Sequence, residues 1–190
     1  MLSATCGFLV GLALIPTVFS LGIQDTKTFI LLPPVFTFLA VFGVWLTQFL
    51  GRWIPLFAQL GKFLTVGILN TAIDFGVFNI LSMATGITQG LQIGGVNIPG
   101  FVVAVTNSYF WNKLWVFEGK GGFGKDLGQF LLVSIGALLV NSGIIALLTT
   151  FVSAPFGLDE REWLNLAKVA ATAVALSWNF LGYKFIVFRK

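Results

Sequence analysis

The chain has no histidine and one cysteine, Cys6, and only 9% of its 190 residues are charged. Without imidazole it lacks the commonest general base and the commonest transition-metal ligand, so a zinc enzyme or a Ser-His hydrolase is not expected. A lone cysteine cannot form an internal disulfide and does not report the redox compartment. Charge this sparse falls well below the roughly 25% of an ordinary soluble domain, and leaves too few polar residues to cover a core. The 11 basic and 7 acidic residues form no clustered basic run, so nucleic acid is not an expected partner. No cofactor is expected either.

What fills the sequence instead is apolar. Hydrophobic residues make up 57% of the chain, with 21 Phe among them, a composition suited to an outer surface that faces lipid. Apolar stretches near 20 residues predict six transmembrane helices, at 6–21, 29–50, 63–85, 98–117, 129–152 and 164–188. Polar breaks fall at 24–27, 51–61, 86–97, 118–128 and 154–163. The first span is short and carries Pro16; Pro33 and Pro34 open the second. Membrane helices tolerate such prolines because neighbouring groups satisfy the freed carbonyls. The start MLSATCGFLV lacks the basic n-region of a signal peptide, so a retained span is expected. The GxxxG at 7–11 offers span 1 a packing face.

Basic residues set orientation. Arg52, Lys62, Lys113, Lys120, Lys125, Lys184, Arg189 and Lys190 all lie on the side reached after spans 2, 4 and 6. Lys27, Arg161 and Lys168 fall on the other, with Asp159, Glu160 and Glu162. Both termini are therefore expected in the cytoplasm.

Two halves of the chain resemble each other. LGKFLTVG at 60–67 reappears as LGQFLLVS at 127–134, and KLWVF at 113–117 as KFIVF at 184–188. Carried forward, this register sets Asp74 against Asn141. Each repeat holds two spans, so both insert the same way up, related by an axis along the membrane normal. The expected fold is thus an all-α integral membrane protein of six helices. A four-helix core over residues 57–190 comes from two parallel two-helix repeats, at about 60–117 and 127–188, with an N-terminal helical hairpin over residues 1–56.

Polar residues within the spans are the candidate site. Asp74 is the one acid placed at mid-depth, where a charge costs roughly 2.5–3.5 kcal/mol. Asn70 lies a helical turn earlier on the same face, with Gly67 continuing the stripe. As interhelical glue such groups contribute about 0.6 kcal/mol each; as a functional site, the carboxyl carries protons or meets a cation. Lys113 and Lys184 stand near the cytoplasmic ends of spans 4 and 6, either snorkelling to headgroups or converging on one phosphate. Asn112 and Asn179 add neutral donors, and Trp111, Trp115 and Tyr183 fit an interfacial aromatic belt.

LGKFLTVGILNTAIDFGVFNIL (60–81) followed by NSYFWNKLWVF (107–117) resembles the GtrA-like membrane protein family, as do LGQFLLVSIGALLVN (127–141) and WNFLGYKFIVF (178–188). The resemblance covers residues 57–190. It implies a four-span core that moves a polyprenyl-phosphate-linked monosaccharide across the cytoplasmic membrane for cell-surface polysaccharide synthesis. It also points to Asn70, Asp74, Asn112, Lys113, Asn179 and Lys184 for headgroup handling; Asn141, set opposite Asp74 by the repeat register, is a further mid-depth candidate. Tyr183 replaces Asn112 and Ile186 replaces Trp115 in the second half, so the two lysines need not share a ligand equally.

Three functions fit these residues. The first is a flippase whose partners are the lipid-linked sugar and membrane lipids. The second is a non-transporting scaffold for a glycosyltransferase, with acids 159–162 and loop 119–125 as docking surfaces. The third is a proton-coupled exporter working through Asp74, which the paired basic residues disfavour because they repel cationic cargo. An enzyme is not expected, because no extramembrane stretch could bind a nucleotide sugar. A four-span core is small for enclosing a headgroup path, which favours a homo-oligomer.

Overall fold

In the computed structural model the described residues are 1–116 and 125–182, less the side chains of some helical residues, Asn112, Lys113 and Asn179 among them. Tyr183 and Lys184 lie outside the described residues. The described chain is all-helical: α1 Leu2–Ser20, α2 Thr26–Leu50, α3 Pro55–Thr85, α4 Gln92–Trp111, a π-helix Asn112–Val116, α5 Lys125–Phe151, a 3₁₀ turn Pro155–Gly157 and α6 Glu160–Gly182.

Helix boundaries follow local chemistry. Asp25 caps α2, accepting from the backbone N–H of Lys27 at 3.3 Å and Thr28 at 3.2 Å. At α6 the acidic cluster is a capping box: Asp159 accepts from the N–H groups of Arg161 and Glu162 at 2.8 Å, and Glu162 accepts from the N–H of Asp159 at 2.9 Å. Gly86, at φ +70°, supplies the left-handed residue that ends α3.

Among the described residues four helical stretches are long and apolar enough to cross a membrane: Leu2–Ser20, Thr26–Leu50, Leu60–Thr85 and Leu131–Phe151. The fourth and sixth predicted spans fall in α4 and α6, whose described residues hold no further stretch of that kind. The α4 helix begins earlier than expected, at Gln92, and so takes in Asn97, which the sequence reading assigned to a polar break. The start of α6 carries Glu160, Arg161 and Glu162, followed by Asn165 and Lys168.

The helices cluster into two compact units, Met1–Ile80 with Val102–Gly121 and Leu81–Phe101 with Gly122–Lys190. In the first, α1 lies along α2 at the glycines of its GxxxG. A Cβ on Gly7 would stand 2.7 Å from Thr37 Cα, and one on Gly11 would run into the backbone of Pro33. Gly76 of α3 meets the carbonyl of Ala13 just as closely, and Gly61 meets the Thr47 side chain. Side chains that small let helix backbones touch, the means of association open to helices in lipid. Around these contacts Cys6, Val10, Val44, Val66, Leu69, Ala72, Trp115 and Val116 form a buried core. Along the outward face of α2, Phe38, Phe42, Trp45 and Phe49 form a ladder of neighbouring rings that continues to Trp53 just beyond the helix, all left exposed. In the second unit α5 packs on α6, whose buried stripe is Leu164, Ala167, Ala171 and Ala175.

Candidate functional site

The first unit gathers several of the expected site residues. Asn70 and Asp74 sit one turn apart on α3, both half-buried. Asn107 of α4 donates to Asn70 Oδ1 at 2.7 Å, and Trp111 Nε1 donates to Asn107 Oδ1 at 3.1 Å. The rings of Trp111 and Trp115 meet edge to face at 5.7 Å. Trp115 is 8% exposed and part of the core, so it is a packing residue here and not an outward member of an aromatic belt. Lys62 Nζ donates to the Trp115 carbonyl at 3.4 Å, tying α3 to the π-helix. That π-helix carries Asn112 and Lys113, and such segments often mark functional sites. Beside it, Met1, Ser3, Val44, Gln48 and Trp115 border a cleft of about 420 Å³. The side chains of Asn112, Lys113 and Asn179, with Tyr183 and Lys184, lie outside the described residues.

A separate knot in this unit joins α1 to α3. Ser20 Oγ donates to Asn79 Oδ1 at 2.7 Å, and Asn79 Nδ2 donates to Thr17 Oγ1 at 3.3 Å and to the Phe75 carbonyl at 3.0 Å. All three side chains are buried.

The second unit holds a more extensive network, around a residue expected at the membrane surface. Lys168, read from sequence as an outer-side charge, has no exposed surface. Its Nζ donates to Asn97 Oδ1 of α4. Asn97 Nδ2 donates to Asn141 Oδ1 at 2.8 Å and to Ser142 Oγ at 2.9 Å, both on α5. Asn141 Nδ2 reaches Thr172 Oγ1 at 3.4 Å, and Thr172 Oγ1 donates to the Lys168 carbonyl at 2.7 Å. The bonds run in one sense around a ring that begins at the ammonium of Lys168 and ends at its own carbonyl. Among the described residues no group of three or more potential metal ligands occurs.

The GtrA/DPMS transmembrane domain family matches residues 62–188. The chain belongs to this family. It is 34% identical over 142 residues to the membrane protein YngA of Bacillus subtilis (strain 168), covering 73% of this chain and 86% of that protein. It is similar to the bactoprenol-linked glucose translocase of Shigella phage SfV, 28% identical over 128 residues, 67% of this chain and 92% of the translocase. A prophage bactoprenol-linked glucose translocase homolog of Escherichia coli (strain K12) is 30% identical over 131 residues, with 67% and 92% covered. No solved structure matches the chain.

Within this GtrA/DPMS domain the sequence reading found Asn70, Asp74 and Asn141 but passed over Asn97, Asn107, Ser142, Lys168 and Thr172. A signal for Lys168 was present. It stands four residues after Leu164 and three before Ala171, on the apolar stripe that α6 buries. A lysine in that position faces inward unless its stem is long enough to escape.

Proposed function

We propose that this protein moves a polyprenyl-phosphate-linked monosaccharide across the cytoplasmic membrane for cell-surface polysaccharide synthesis or glycosylation. The observation that carries the reading is a lysine, asparagines and hydroxyls buried inside an apolar helical chain whose relatives include proteins named bactoprenol-linked glucose translocases. A sugar phosphate must pass roughly 30 Å of hydrocarbon while its tail stays in lipid. Hydrogen-bonding groups at mid-depth lower that barrier, since they replace the water the headgroup leaves behind.

In this reading the chain crosses the membrane six times, α4 and α6 included, with polar faces turned inward and both termini in the cytoplasm. Residues 60–117 and 127–188 form two parallel repeats, and residues 1–56 form an added hairpin. Lys113 and Lys184 receive the phosphate at the cytoplasmic side, with Asn112 and Asn179 as added neutral donors. Asn70, Asp74 and Asn141 serve the headgroup further in. The chemistry is transport, with no covalent step.

The acids 159–162 that the scaffold reading would use for docking have a structural role of their own, since Asp159 and Glu162 cap α6. The test is movement of a labelled polyprenyl-phosphate-glucose by purified protein in liposomes, comparing wild type with Lys113→Ala, Lys184→Ala and Asp74→Asn. Loss of movement in folded lysine variants supports the phosphate role; wild type no faster than empty liposomes points to the scaffold.

A further inference from the structure

Hydrogen-bond direction between Asn70 of α3 and Asn107 of α4 is dictated by Trp111. An indole has a donor and no acceptor. Trp111 Nε1 therefore has to meet an oxygen, and the group it meets is Asn107 Oδ1 at 3.1 Å. That choice turns the Asn107 amide nitrogen towards α3, where it donates to Asn70 Oδ1 at 2.7 Å. Asn70 in turn has its carbonyl occupied and its NH₂ directed away. Each amide alone could be flipped without loss; the indole fixes both. Asn70 is half-buried, and among the described residues no hydrogen bond is donated by its amide nitrogen.

We infer that Trp111 and Asn107 are positioning residues which hold Asn70 as a hydrogen-bond donor towards the transported headgroup, so the ligand atom Asn70 meets is an acceptor oxygen. The inference rests on the flippase reading above. Acceptor oxygens occur on both the phosphate and the sugar, and a donor fixed before the ligand arrives binds either without losing rotamer freedom. Asp74, one turn along the same face of α3, brings a carboxyl suited to hydroxyl protons. A sugar hydroxyl both gives and takes a hydrogen bond, so an amide donor and a carboxyl one turn apart match its two-sided chemistry. A phosphate diester offers acceptors alone.

The experiment uses the full chain in liposomes and two probes, polyprenyl phosphate and polyprenyl-phosphate-glucose. Binding and transbilayer movement are measured for wild type, Trp111→Phe, Asn70→Ala and the double variant. Trp111→Phe keeps an aromatic ring, though a smaller one, and removes the N–H donor. It is expected to weaken binding of the glucose-bearing probe about fivefold, the worth of one hydrogen bond, and to change nothing further in the Asn70→Ala background. Weakening confined to that probe assigns the acceptor to the sugar; equal weakening of both probes assigns it to the phosphate. Asn107→Asp is a second variant: its carboxyl still accepts from the indole but forces Asn70 to spend its NH₂ inward, and a loss at least as large is expected. Unchanged binding in Trp111→Phe, or the same loss with and without Asn70, overturns the relay while leaving the flippase reading intact. A wild type that neither binds nor moves either lipid overturns both.

Discussion

Lys168 of α6 donates to Asn97 of α4, and both side chains are fully buried. The pair is the start of the polarised ring through Asn141 and Thr172, and its members have no water to turn to if one is removed. Lys168→Met is expected to destabilise the detergent-solubilised protein by about 1–3 kcal/mol, the cost of stranding a buried acceptor. Asn97→Leu is expected to cost a similar amount, and the double variant about as much as either alone, because the two act as one unit. Unfolding curves for the four proteins check this; additive losses would contradict the coupling.

The fit of α1 on α2 predicts a steric result. A Cβ at Gly11 would overlap the Pro33 backbone, which cannot swing aside as a flexible side chain can. Gly11→Val is expected to cost about 1–3 kcal/mol through forced backbone shifts. Gly43 has nothing near its Cβ position, so Gly43→Ala is expected to be neutral or slightly stabilising, by up to about 1 kcal/mol as a helix residue. The measurement is thermal unfolding of both variants.

The Ser20–Asn79–Thr17 knot is expected to hold the N-terminal helix on α3. Asn79→Leu leaves the Ser20 hydroxyl and the Thr17 oxygen without their shared partner. Its effect should appear as faster proteolysis or cysteine modification within α1. Cys6 is buried and is the chain's one cysteine, so its alkylation rate reports the loosening directly. A rate unchanged from wild type would show that α1 stays seated without the knot.

Six spans with cytoplasmic termini predict which turns face which side. In a Cys6→Ala background, a cysteine at Arg52 should react with an impermeant reagent only from the cytoplasmic side, and one at Ser153 only from the outside. Both positions are exposed. Labelling of both from one side would reduce the number of crossings between them to an even one.

Much of the helical layout was legible because long apolar runs in α1, α2, α3 and α5 announce themselves by composition alone. The close-packing role of Gly7 and Gly11 was legible too, from spacing. The polar network was not. Asn97 follows the glycines at 94 and 95 and precedes Pro99, a run that reads as a turn until its helix has packed. Lys168 follows a charged helix start and so reads as more of the same, although its stripe neighbours Leu164 and Ala171 are buried. What turns it inward is an acceptor 71 residues away in sequence, and a partner that distant leaves no local trace. Trp115 posed the opposite problem: an aromatic near a helix end suits an interface, yet the glycine-lined contact of α1 and α2 leaves a core for it to fill.

The central claim is transport, and its most direct measurement is the rate at which a fluorescent polyprenyl-phosphate-glucose crosses the bilayer of liposomes containing the purified protein. The account predicts movement well above protein-free liposomes, slowed in a folded Asp74→Asn variant and competed by unlabelled lipid-linked glucose. A rate equal to that of protein-free liposomes, with the protein folded and lipid-linked sugars of different identity tested, would contradict it.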